Sequence, residues 1–369
     1  MAKVYDTATD IITFARLQSQ NTTSGSSYLG SDGLLKFAAE DEPRIEYGSD
    51  GSLKGLLIEE QRTNLLTHSE QFDNPAWVKP NVTVTPNTAI APDGSATADR
   101  AQFTSLGTSY LRQVITTVGG AEYTVSCWVK SNTGTDQFFR LYGNGGPSSS
   151  NQFTATSDWQ LFSYTFTGNG LSATHGLRDD GVNTCDLQVW GAQLEAGSFA
   201  TSYIPTSGSQ VTRWADVASI PVSAFGYNQD AGTVVVEFDM VGFSPNGPTG
   251  YPRVWEFNQA NSDYISVQLN SSGQAAFRDN ESNTNLKYSE ALTENTMAVM
   301  AATFADDDLA TSLDGATALT ATPSYTLDLP TTLAIGSVVG GGRYLNGHIK
   351  SLKYYPRRLT NTQLQELTA

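Results

Sequence analysis

Between Ser69 and Pro205 the chain repeatedly alternates apolar and polar positions with a period of two, the pattern of strands with one buried face. The segments YLRQVITT, EYTVSCWVKS, FFRLYG, WQLFSYTFTG and CDLQVWGAQLEAG follow it, and turn-rich stretches such as SNTGTD and GNGGPSSSN separate them. In EYTVSCWVKS the alternation puts Tyr123, Val125, Cys127 and Val129 on one side, which is assigned to a core. Several short strands at this spacing predict a β-sandwich. A second series begins at Tyr227 and includes GTVVVEFDM, YPRVWEFNQ, DYISVQLNSSGQAAFR, MAVMAATF, LATSLDGATALT, TLAIGSV and GHIKSLKYY. Asp314-Gly315 is a strong hairpin signal and Ser271-Ser272-Gly273 a second one. Thr360 and Gln363 have the spacing of a capping box and predict a short closing helix.

The opening stretch is different. Its apolar pieces are short and are broken by turns at Asp32-Gly33 and Asp50-Gly51. Pieces of this size cannot bury a core alone, so the segment is expected to pack against a later domain or a neighbouring chain. The chain is therefore divided into an N-terminal attachment or packing segment (1–66), a first sandwich (67–206), a linker with one ordered patch near Trp214 (207–226) and a second sandwich (227–369). The expected class is all-β with one short C-terminal helix.

Composition narrows the partners. The 369 residues contain 21 Lys plus Arg against 37 Asp plus Glu, a formal net charge of −16. Such a surface repels phosphate backbones and anionic lipid headgroups, so nucleic acid and membrane are not expected as partners. No stretch has the length and apolarity of a signal-peptide core or a bilayer span. Cys127 and Cys185 fall on the apolar side of strands and are read as buried free thiols, with a cross-sheet disulfide as the less favoured alternative; two cysteines are too few for a disulfide scaffold. Sequons at Asn21, Asn81, Asn270 and Asn280 are what an Asn/Ser/Thr-rich chain produces by chance.

Catalytic constellations are sparse. Glu59 and Glu60 are adjacent on an extended segment, point to opposite sides and cannot flank one scissile bond, so both are read as solvated or facing a cation. Asp306, Asp307, Asp308 and Asp314 lack the ligand pattern of an EF-hand and are read as turn residues, while a structural calcium elsewhere stays open and unassigned. His68, His175 and His348 are scattered, His175 in what reads as an exposed polar loop and His348 in a structural place on a strand. The glycines of VVGGGRY lack the ending of a phosphate-binding loop. Glu237 and Asp239 share one side of a strand, as solvent-face residues do.

Sugar binding needs less: an aromatic face to stack on and polar groups at its edge. Alternation puts Tyr110 and Arg112 on one side of a strand, and Phe138, Arg140 and Tyr142 on one side of another. Tyr110, Arg112, Arg140 and Tyr142 are the candidate glycan-binding residues, provided that their strands are neighbours and face outward. The competing reading puts one of these stripes in a core.

Three stretches resemble phage virion proteins. GLLIEEQRTNLLTHSEQFDNPAW is similar to the region of phage head-spike and fibre proteins that leads into a carbohydrate-binding-module-like jelly roll. LQVWGAQLEAGSFATSYIPTSGSQVTRWAD is similar to the last strand and exit of such domains. NGHIKSLKYYPRRLTNTQLQELT resembles the closing strand and helix of concanavalin A-like, laminin-G-like jelly rolls, with Gly347, Ile349, Leu352, Tyr354, Arg357, Leu359 and Leu364 at matching kinds of position.

The resemblance implies two jelly-roll sandwiches in a bacteriophage structural protein, a surface-exposed head fibre, spike or decoration component, with other virion proteins of the capsid or tail as partners. It carries over no sugar ligands; host-surface glycan is expected as a partner from the aromatic and arginine stripes, and no enzymatic activity is expected from the sparse catalytic constellations. A homo-oligomer, trimers included, on the virion surface and assembled in the host cytoplasm is expected, and no cofactor. The alternatives are a tail fibre or receptor-binding component, and a polysaccharide-degrading enzyme built around Glu237 and Asp239.

Overall fold

A computed structural model describes residues 13–15, 26–144, 148–242, 251–258, 264–323 and 329–369. Most of the first 25 residues, the Asn21 sequon and part of the GNGGPSSSN loop lie outside the described residues. The fold is all-β with a short C-terminal helix, Asn361–Thr368. Two compact units divide the chain. One comprises 1–17, 40–60 and 215–369, and the other 18–39 and 61–214.

The unit holding the C-terminus is a sandwich of two seven-stranded antiparallel sheets, counted among the described residues. One sheet runs Thr13–Ala15, Val217–Pro221, Thr332–Ile335, Arg253–Asn258, Tyr264–Leu269, Gln274–Asp279, Thr284–Ala291. The other runs Leu319–Ala321, Asp308–Leu313, Ala298–Ala305, Ala231–Phe238, Gly347–Tyr355, Leu53–Ile58, Ile45–Tyr47. The two-residue alternation explains both faces. Val234, Val236 and Phe238 join Phe257, Val267 and Phe277 in the core between the sheets. Val235 points the other way and, with Ala301 and Ala310, receives Leu359 and Leu364 beside the closing helix. Thr360 and Gln363 form the expected capping box. Asp314 and Gly315, with φ of 46° and 72°, make the tight turn that sends the chain back from Asp308–Leu313 to Leu319–Ala321.

The opening stretch does not act as one piece. Leu53–Ile58 pairs with Gly347–Tyr355, and Leu56 and Ile58 are in the main core of the C-terminal unit. Ser27–Leu29 and Leu35–Phe37 form a hairpin that belongs to the other unit, where Leu35 packs with Ala98, Trp190 and Tyr203. Residues 207–226, expected as a linker, contain two paired strands: Val211–Arg213 against Arg62–Asn64, and Val217–Pro221 against Thr332–Ile335. Val211, Ala218 and Ile220 are buried, which is why the segment is ordered despite its Ser- and Thr-rich composition.

The second unit is also a sandwich. A five-stranded sheet runs Gln160–Thr167, Glu122–Ser131, Cys185–Ala196, Ala98–Phe103, Val82–Ala89. Facing it, Gln137–Gly143, Ser172–Asp179 and Tyr110–Thr116 are the main strands of a smaller sheet. Tyr123, Val125, Cys127 and Val129 lie in the core with Leu111, Phe139, Leu141 and Leu177 of the smaller sheet. Both cysteines are buried and free, and burial pushes the Cys127 thiol pKa up to about 12.

Glu59 faces a cation, one of the two readings given for it: Arg44 Nη1 donates to its Oε2 at 2.6 Å, and the carboxylate is buried. Two polar positions differ from the sequence expectation. His175 is on the Ser172–Asp179 strand and fully buried; its Nε2 lies 3.2 Å from the Ile115 carbonyl and its ring stacks on Phe166. Asp239 is buried instead of facing solvent, since pairing with Gly347–Tyr355 shifts register between Glu237 and Phe238 and the Asp239 Oδ1 meets His348 Nδ1 at 2.7 Å.

Candidate functional site

The four residues singled out as glycan-binding candidates do share one face. Gln137–Gly143 and Tyr110–Thr116 are not adjacent; they flank Ser172–Asp179 on its two edges. Register aligns Tyr110, Arg178 and Arg140 in one row, and Arg112, Gly176 and Tyr142 in the next. Gly176 brings no side chain to its row, and a Cβ there would collide with the Leu111 carbonyl. Side chains from the outer strands therefore meet over the middle one, the Tyr110 and Tyr142 rings lying 5.5 Å apart edge to face.

The surface they form differs from an open aromatic platform. Tyr142 is fully buried, so its ring has no free face for a sugar. Burial raises the pKa of its phenol above the ordinary value. The Tyr110 ring already carries the guanidiniums of Arg112 and Arg178, at 4.9 and 5.2 Å from its centroid. Arg140 is tied down by the carbonyls of Ser150, at 2.7 Å, and Asp180, at 3.3 Å. What faces outward is a set of guanidinium edges around one half-buried ring.

The C-terminal unit has a better-formed hollow, which the strand-by-strand reading missed. Register across four strands of one sheet aligns Arg253, Gln268, Ala276 and Lys287 in one row, and Glu256, Ser266, Arg278 and Asn285 in the next. The two central positions, Ser266 and Ala276, are small, while long side chains stand on either side. A cleft of about 450 Å³ results. Its lining has three chemical parts: the rings of Tyr251 and Tyr264, the neutral polar groups of Gln268, Asn270, Ser271 and Asn285, and the cations Arg278, Lys287 and Arg343.

Arg253 is the post on which this cleft is built. It is fully buried, its Nε donates to Glu256 Oε2 at 2.8 Å, and its Nη1 donates to the Tyr251 carbonyl at 3.0 Å and to Gln268 Oε1. Its guanidinium also lies 4.7 Å from the centroid of the Tyr264 ring. One cation therefore fixes both tyrosine-bearing segments and orients the Gln268 amide. Burial pushes the Arg253 pKa below its ordinary value; Glu256 counteracts this, and the positive charge of Arg343 adds to it.

The remaining chemistry-bearing groups are internal or paired. His348 is held between Asp239 and Glu46, with Nδ1 and Nε2 each 2.7 Å from a carboxylate oxygen. Burial opposes its charge, but the two hydrogen-bonded carboxylates prevail and raise its pKa to about 9. Glu237 takes Lys350 Nζ at 2.6 Å. Asp308 pairs with Arg358, and Asp307 occupies the turn before it with φ of 53°. Among the described residues no group of three or more His, Cys, Asp or Glu is arranged to hold a metal ion, and no helix is long and apolar enough to cross a membrane.

The family described as the concanavalin A-like lectin/glucanases superfamily, of laminin G type, matches residues 243–365. No curated protein sequence matches the chain. Among solved structures, a native heptameric SAP-like pentraxin from Limulus polyphemus is 15% identical with a TM-score of 0.31, over 39% of this chain and 73% of that one. The CBM40 of Ruminococcus gnavus IT-sialidase, solved bound to α2,3-sialyllactose, is 14% identical with a TM-score of 0.32, over 40% and 86%. The N-terminal CBM22-1-CBM22-2 tandem domain of Paenibacillus barcinonensis Xyn10C is 10% identical with a TM-score of 0.29, over 81% and 99%. Every residue lining the cleft falls inside the family match. The C-terminal part of the chain thus carries a concanavalin A-like lectin/glucanase domain of laminin G type.

Proposed function

We propose that this is a glycan-binding protein that recognises saccharide through the cleft of its C-terminal unit. The observation that carries the reading is the lining of that cleft. Two tyrosine rings stand beside amide and hydroxyl groups, the combination that packs on a sugar face and satisfies its hydroxyls. The lectin-type family match over the same residues supports it. Binding without hydrolysis is favoured because the lining contains no carboxylate among the described residues. Glu256, in the register row of Ser266 and Arg278, is buried against Arg253, and Glu237 and Asp239 are occupied by Lys350 and His348.

The resemblance of the opening and central stretches to phage spike and fibre proteins supports a place on the outside of a bacteriophage particle, as a head fibre, spike or decoration component that contacts host-surface glycan. The tail is the alternative location. Two measurements test the proposal. A glycan array probed with the full chain should give signals that Tyr264→Ala reduces at least tenfold, and a blank array would refute the binding role. Mass spectrometry of purified particles should find the protein in many copies, and its absence would refute the location.

A further inference from the structure

We infer that the cleft of the C-terminal unit is selective for acidic saccharides, in which a sugar ring packs beside Tyr251 or Tyr264 and an anionic substituent is met by Arg278, Lys287 and Arg343. This deepens the glycan-binding proposal and rests on it.

The argument starts from where the chain places its few cations. Basic residues are outnumbered 21 to 37, and elsewhere they are commonly paired with acids: Arg44 with Glu59, Arg100 with Asp186, Lys350 with Glu237, Arg358 with Asp308. Three cations nevertheless line this single cleft. None of the three forms an ion pair with a carboxylate among the described residues. Arg278 instead donates to neutral amide oxygens, Asn283 Oδ1 at 2.9 Å and Asn280 Oδ1 at 3.4 Å. Glu256, which shares a register row with Arg278, is committed to Arg253.

Gathering like charges at one place costs free energy unless an anion offsets it. At Arg253 burial disfavours the charge, Glu256 counteracts this, and Arg343 adds a smaller unfavourable contribution. Beneath the lining, the buried Ser266 hydroxyl has no hydrogen-bond partner among the described residues. It sits on the same face as Gln268 and Arg278, so the floor beneath these cations supplies them no counter-charge. A neutral sugar would use the rings and amides but leave the cations without counter-charge. A sugar acid or a sugar phosphate uses both sets, through charge-assisted hydrogen bonds.

The test uses the full chain on an array of bacterial surface oligosaccharides in which each carboxylate- or phosphate-bearing member is printed beside its neutral counterpart, at 0.15 M salt. Acidic members should bind at least tenfold more strongly than their counterparts, and the carboxylate and phosphate sets show which anion is preferred. Arg343→Gln and Lys287→Gln should each lower acidic binding about fivefold or more, with unchanged thermal unfolding. Lys353→Gln, an exposed cation on the opposite sheet, should leave it unchanged. Equal binding of acidic and neutral partners, or equal losses from Lys353→Gln, would overturn the acid selectivity while leaving glycan binding standing. A blank array would overturn both.

Discussion

Arg44 Nη1 donates to Glu59 Oε2 at 2.6 Å, with the Arg44 side chain 0% and the Glu59 side chain 5% exposed. The same guanidinium donates through Nη2 to Asp216, whose Oδ2 also accepts the Glu59 backbone N–H at 2.9 Å. Two carboxylates, 15 and 172 positions away in sequence, thus close around one buried cation, and both hold its pKa above the ordinary value against the cost of burial. Removing the cation takes its charge away from two buried carboxylates. Arg44→Ala is expected to cost the C-terminal unit about 3–5 kcal/mol, read as a fall in its urea midpoint. A loss under about 1 kcal/mol would show that the cluster is not structural.

Residues 40–60 of the opening stretch are a structural part of the C-terminal sandwich. Ile58 is fully buried in the main core, and Leu53–Ile58 extends the sheet beside Gly347–Tyr355. Ile58→Ala should therefore destabilise this unit by about 2–5 kcal/mol through lost burial and the cavity left behind. Hydrogen exchange should locate the loss in the sheet that includes Gly347–Tyr355. Unchanged protection there would mean that the segment is an accessory.

His348 gives the fold a pH dependence with a defined sign. Its folded pKa of about 9 lies above its ordinary value of 6.5, with Asp239 and Glu46 facing the two ring nitrogens. A raised pKa contributes stability that is complete below pH 6.5 and is lost as the pH rises through 9. The full contribution is on the order of 3 kcal/mol, at 1.36 kcal/mol per unit. Denaturant midpoints should fall between pH 6.5 and 9 in the wild type and stay level over that window in His348→Gln. A level wild-type profile would show that the histidine is neutral in the folded chain.

The two thiols should be inert in the native state. Burial raises the pKa of both, that of Cys127 to about 12, so little thiolate exists at neutral pH and access is blocked. Native labelling with a maleimide at pH 7.5 should be at least a hundredfold slower than labelling in urea. Fast native labelling would place a cysteine at the surface.

Strand alternation made much of this architecture legible. Tyr123, Val125, Cys127 and Val129 were placed in a core by their spacing alone, and Thr360 with Gln363 by theirs. The turn at Asp314-Gly315 was readable because few residues adopt positive φ without strain. Long-range pairing was not readable. Nothing local to Glu59 reveals that Arg44 and Asp216 will close on it, and nothing near His175 reveals that it lies on a buried strand. The cleft was hidden for a similar reason. Tyr264, Gln268, Arg278 and Lys287 are each ordinary outward-facing positions, and only cross-strand register turns them into one wall around Ser266 and Ala276. The Ser271-Ser272-Gly273 turn held part of that register, since it fixes Ser266 opposite Arg278. The Tyr110 and Arg112 stripe had the right face but not the right exposure, because neighbouring arginines cover the ring.

The most direct test is a crystal structure of the full chain soaked with an oligosaccharide that scores on the array. Sugar density should lie in the C-terminal cleft, a ring against Tyr264 or Tyr251 and an acid group at Arg278, Lys287 or Arg343. Density seated elsewhere, with this cleft holding only solvent, would contradict the account.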